Sequence, residues 1–70
     1  MIVPNVAELK VCRAKQGLSA RALAIRASLN AATVAGIEKT GRPVAQATAK
    51  AICDVLNVPF EALFTMKKGD

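Results

Sequence analysis

Residues that start and stop helices recur along this chain at short intervals, and they limit the length of every element it can form. Asn5, Ser19 and Asn30 are N-cap residue types, whose side-chain oxygens accept hydrogen bonds from the amides that open a helix. Gly17 and the stretch Thr40-Gly41-Arg42-Pro43 are stops, because Gly readily takes the left-handed conformation past a helix end and Pro cannot continue one. What lies between these marks is rich in Ala, which supplies 14 of the 70 residues and favours helix. Gly and Pro number only 4 and 3, too few for a disordered linker or a turn-rich β fold. The expectation is an all-α fold of five short helices. A chain this short makes one domain over residues 1–70, with its core at about 5–66.

The five helices can be placed in order. Asn5 caps the first, with Glu8 completing a capping box and Val6, Leu9 and Cys12 recurring on one side. Leu18 tucks inward from the connector. Ser19 caps a second helix over Ala20 to Ala27, in which Ala22, Leu23 and Ala24 pack. Asn30 caps a third, with Val34 and Ile37 on its inner face. A fourth runs from about Ala45 to Leu56 and buries Ala49, Ile52, Cys53 and Leu56, although no good capping residue precedes it. Pro59 starts a fifth, whose apolar side carries Phe60, Leu63, Phe64 and Met66. The tail Lys67-Lys68-Gly69-Asp70 is expected to fray.

The composition excludes much. There is no His, so no His-based triad, ligand or proton shuttle. Two Cys and scattered acids make no zinc site, and no cofactor is implied. Without Trp or Tyr, and with Phe only at 60 and 64, base stacking on an aromatic sheet is not expected. No apolar run reaches the roughly 18 residues of a membrane span, and Met1-Ile2-Val3-Pro4-Asn5 does not read as a signal peptide. A cytoplasmic protein with reduced cysteines is expected, with no membrane partner. The net charge of +5 points to a polyanion, usually nucleic acid, although it also simply favours solubility.

Two short helices joined by a tight turn, inside a basic helical chain, form a helix-turn-helix arrangement. The residues that specify it are Leu9 with Cys12-Arg13, Gly17-Leu18-Ser19, Leu23-Ala24, Leu29-Asn30-Ala31-Ala32-Thr33-Val34 and Ile37-Glu38. They continue through Arg42-Pro43-Val44, Thr48-Ala49-Lys50, Leu56-Asn57-Val58 and Leu63-Phe64. Taken in order, the segment from Leu9 to Phe64 resembles the phage-repressor and Cro family, the xenobiotic-response-element type. The resemblance implies the five-helix fold of that family, with the helix-turn-helix at about 19–38. It further implies a DNA-binding transcriptional regulator, typically a repressor. The second helix would span the backbone of duplex DNA. The recognition helix, about 30–39, would enter the major groove, and a homodimer would form at least on DNA.

The resemblance also assigns residues. Arg13 and Glu38 resemble the family's structural ion pair, which leaves Glu38 no catalytic part. Ala31, Ala32, Thr33 and Gly36 fall at its base-facing positions. Arg21 stands in the first turn of the second helix, where the dipole disfavours a cation, and contact with a phosphate would account for it. Ser19 adds a hydroxyl there besides its capping role. Lys39 and Arg42 flank the loop after the third helix, a region that faces the backbone in a helix-turn-helix, and are expected on phosphates.

The recognition helix carries methyl groups, one hydroxyl and a Gly where many relatives carry Gln, Arg, Asn or Ser. Three readings stand. The Ala and Thr methyls pack on thymine methyls while DNA shape and Arg side chains supply specificity. Or Asn30 is the one base reader as well as a cap. Or the helix meets a regulatory protein partner, in a module that has kept the fold and lost base readout. Cys12 and Cys53 read as small apolar core residues. Phe60 and Phe64, four apart, share a helix face and are the candidate dimer contact. No set of residues suits an enzyme.

Overall fold

The computed structural model describes residues 1–68. Among them five helices and two short strands follow in order: β1 (Ile2–Pro4), α1 (Val6–Lys15), α2 (Ala20–Arg26), α3 (Ala31–Thr40), α4 (Gln46–Leu56), α5 (Phe60–Leu63) and β2 (Phe64–Met66). Among the described residues no helix is long and apolar enough to cross a membrane.

The start signals act as the sequence suggests. Asn5 Oδ1 accepts from the Glu8 amide at 3.2 Å, Ser19 Oγ from the Ala22 amide at 3.0 Å, and Asn30 Oδ1 from the Ala32 amide at 2.9 Å. The capping box at α1 forms only in half. The Asn5 amide, which Glu8 would have to bond, donates instead to the Leu63 carbonyl at 2.7 Å and so ties the start of α1 to α5. Ala45 caps α4 without a side-chain bond. Gly17 and Gly41 take φ values of +71° and +66° past the ends of α1 and α3, as helix-ending glycines do. Asn57 does the same after α4 at φ +56°.

The all-α expectation needs one amendment. β1 and β2 pair antiparallel, Ile2 opposite Met66 and Pro4 opposite Phe64, and Val44 joins β1 through an isolated bridge to Ile2. β-Branched and aromatic residues suit such a ladder, but three-residue strands are too short to show an alternating period. The sheet ends α5 after four residues. Phe64 and Met66 therefore lie in β2 and not on a fifth helix. Pro59 is the N-cap of α5, one place before its first residue. Lys67 is held rather than frayed, since its amide donates to the Met1 carbonyl at 2.8 Å; Gly69 and Asp70 lie outside the described residues.

The core is one cluster, built on Leu9, Leu23, Val34, Ile37, Ala49, Ile52, Leu56, Leu63 and Phe64. Leu18 joins it from the connector. Ala24 and Ala49 are fully buried, and their small side chains let short helices approach closely. Gln16 Nε2 donates to the Leu56 carbonyl at 2.7 Å, binding the end of α1 to the end of α4. Through Leu23, Ala24, Val34 and Ile37, α2 and α3 pack into this same core.

Candidate nucleic-acid interface

α2 and α3 are joined by the four residues 27–30. The reversal is made by Ser28, which takes φ +58°, a left-handed conformation unusual for Ser. Its amide bonds the Ile25 carbonyl at 3.1 Å, and the Leu29 amide bonds the Ala24 carbonyl at 2.8 Å. Leu29 is half-buried against the core. Asn30 then opens α3. The turn is thus fixed by a backbone reversal, an apolar anchor and a cap.

One ion pair sets α3 against α1. Arg13 Nε and Nη2 donate to Glu38 Oε2 and Oε1, both at 2.8 Å, and Nη1 donates to the Leu18 carbonyl at 2.9 Å. Glu38 is 8% exposed and is the only buried charged side chain among the described residues. The bidentate bond to Glu38 pushes the Arg13 pKa further up, against the cost of burial. The geometry of the pair leaves neither partner free for chemistry or for a ligand.

The exposed side of α3 carries Ala31, Ala32, Ala35 and Lys39, with Gly36 half-buried among them. Ala35 was not among the expected positions. It lies three residues from Ala32 and four from Lys39 and so shares their side of the helix; that spacing was available in the sequence. Thr33 stands apart. It is half-buried and lines a concavity of about 260 Å³ with Ile37, Arg42, Pro43, Val44, Ala45 and Thr48.

Asn30 has its side-chain oxygen engaged by the Ala32 amide. Bidentate reading of adenine needs both the oxygen and the nitrogen of the amide; the cap takes one lone pair of Oδ1 and leaves the other and the NH2 donors open. Ser19 is similarly placed: Oγ accepts from Ala22, and the hydroxyl hydrogen remains free to donate.

Arg21, Arg26, Lys39 and Arg42 are exposed and form no ion pair among the described residues. Between Ser19 and Pro43 the single acid is Glu38, which Arg13 neutralises. The exposed acids Glu8, Asp54 and Glu61 all lie outside that segment, and Asp54 is bonded to Lys50 at 3.0 Å. The helix-turn-helix surface is therefore uniformly cationic.

The remaining expected residues divide. Cys53 is buried, and burial above all pushes its thiol pKa up, with Asp54, Cys12 and Glu61 adding to the rise. That is the reverse of an activated thiol. Cys12 is half-buried against the core. Phe60 and Phe64 meet with ring centroids 5.6 Å apart. Phe64 is only 2% exposed, which corrects its expected place in a dimer contact: the switch from helix to strand turns it into the core. Phe60 is half-buried. No group of three or more metal-ligating side chains occurs among the described residues.

The chain belongs to the helix-turn-helix domain family of the phage-repressor and Cro-like type, whose family model matches residues 6–64. The match runs from the first residue of α1 to the first residue of β2. No curated protein matches the chain.

Proposed function

We propose that this protein is a DNA-binding transcriptional regulator of the repressor kind that reads duplex DNA with α3 in the major groove. One observation carries the reading: every exposed charge on the helix-turn-helix segment is positive, while all exposed acids among the described residues lie elsewhere. A polyanion meets that surface without repulsion, and the charge supplies the sequence-independent part of the affinity. Arg21, Lys39 and the Ser19 hydroxyl meet phosphates and set the register. Ala31, Ala32 and Ala35 let the helix backbone approach the base edges closely, their methyls against thymine methyls. Arg42 belongs to the same surface.

A homodimer on DNA would place two copies of α3 about 34 Å apart, one turn of the duplex. Phe60 remains the candidate contact for it. The methyl groups of Ala31, Ala32 and Ala35 on the outer side of α3 favour one rival, a module that binds a protein partner through this helix. The two readings separate on Ala32→Glu and Ala35→Glu. Both changes are exposed and should leave the melting temperature nearly unchanged. As a DNA-binding surface, α3 should then lose duplex affinity at least tenfold for each. Unchanged duplex binding in both variants would reject it.

A further inference from the structure

The loop after α3 returns a side chain to the middle of that helix. A Cβ built at Gly36 would lie 3.1 Å from Arg42 Nη2 and 3.3 Å from its Cζ. The guanidinium therefore rests against the Gly36 backbone, five residues before the Gly41 that ends the helix. Any other residue at 36 would displace it by a few tenths of an ångström or more.

The backbone on both sides aims this side chain. Gly41 reverses the chain at φ +66°, its amide bonding the Ile37 carbonyl at 2.8 Å. Thr40 Oγ1 donates to the Gly36 carbonyl at 2.8 Å and accepts from the Arg42 amide at 3.3 Å. Pro43 restricts Arg42 to extended backbone. Thr40 thus links the residue that carries the guanidinium to the residue that supports it.

The guanidinium itself has no hydrogen-bond partner among the described residues. It is not spent on the free carbonyls at the end of α3, the ordinary use of a cation near a helix C-terminus. The guanidinium sits by Gly36, and Arg42 borders the concavity that holds Thr33, Ile37 and Thr48, with its five donors unspent. A Gly in mid-helix costs about 1 kcal/mol relative to Ala, and a solvated surface Arg would need no such seat.

We propose that Arg42 is a specificity-determining residue that reads guanine, standing in for the long polar side chain that α3 lacks at position 36. This rests on the DNA-binding reading above. A guanidinium fork donates to guanine O6 and N7 together, and an Arg held in place loses less freedom on doing so than a mobile one. A phosphate contact, the expectation from sequence, calls for charge near the backbone and does not explain why the fork lies over the centre of the helix.

The test uses the duplex that the full chain selects from a random library, with every base of the half-site varied in turn. Arg42→Lys keeps the charge and loses the fork. It should reduce the preference for one guanine by about ten- to a hundredfold, leave the salt dependence of binding unchanged, and leave the other positions as they were. Gly36→Ala should weaken the same preference with Arg42 still present. Intact base preference in Arg42→Lys, with Arg42→Ala weakening all duplexes equally and flattening the salt slope by about one, would make Arg42 a phosphate contact. That overturns the proposal and leaves DNA binding standing. If the parent chain selects no motif, the proposal and the sequence-reading function fall together.

Discussion

Arg13 and Glu38 face each other across 25 residues of chain with two parallel hydrogen bonds of 2.8 Å. The same guanidinium holds the Leu18 carbonyl, so one side chain fastens α1, the approach to α2 and the last turns of α3.

Glu38→Ala strands a mostly buried guanidinium, and losing one partner of such a pair costs about 3 kcal/mol. For a domain of this size that is a fall of roughly 12–24 °C in melting temperature. Thermal unfolding followed by circular dichroism reads it. A variant as stable as the parent would remove the ion pair from the account of the fold.

Ser28 holds the α2–α3 reversal at φ +58°. A non-Gly residue in that region carries a penalty of roughly 1–2 kcal/mol, part of which Gly offsets by its greater freedom when unfolded. Ser28→Gly should stabilise the chain by about 0.5–1 kcal/mol, a rise of a few degrees. A lower melting temperature would mean that the Ser side chain contributes something the turn geometry does not show.

Arg21 and Lys39 are exposed cations on the two helices of the motif. Arg21→Ala and Lys39→Ala should each weaken binding evenly across sequences and lower the slope of log affinity against log salt by about one. Titrations from low to physiological salt measure this. A slope that does not move takes that residue off the phosphates.

Burial raises the Cys53 pKa, with smaller contributions from Asp54, Cys12 and Glu61. The fold therefore favours the neutral thiol. Its contribution to stability is complete below the unfolded thiol pKa of about 8.5 and is lost as pH rises beyond it, where the unfolded chain gives up the proton first. Denaturant midpoints should drop above that pH by more in the parent than in Cys53→Ala. Cys53 should also react more slowly with a thiol reagent than half-buried Cys12. Equal rates would place Cys53 outside the core.

The helices were legible because their signals are local. Asn5, Ser19 and Asn30 cap within three residues of themselves, and the apolar spacing that buries Val34 and Ile37 spans a single turn. The sheet was not legible, because its information is spread between Ile2 and Met66, at opposite ends of the chain. For the same reason Phe64 reads as a partner of Phe60 on one helix, when pairing with Pro4 draws it into a strand. The reciprocal half of the capping box fails through another distant competitor, the Leu63 carbonyl. At the interface, the sequence shows an Ala-rich helix followed by an isolated Arg42. Only the reversal at Gly41 reveals that the Arg lies back over Gly36.

The most direct measurement is selection of duplexes from a random library at about 150 mM salt, followed by salt titrations on the winner and on a scrambled duplex. The account predicts a two-fold symmetric motif, half-sites one helical turn apart, preferred by roughly a thousandfold or more. An absence of any enriched motif, with weak binding that disappears as salt rises, would contradict it and turn attention to a protein partner for α3.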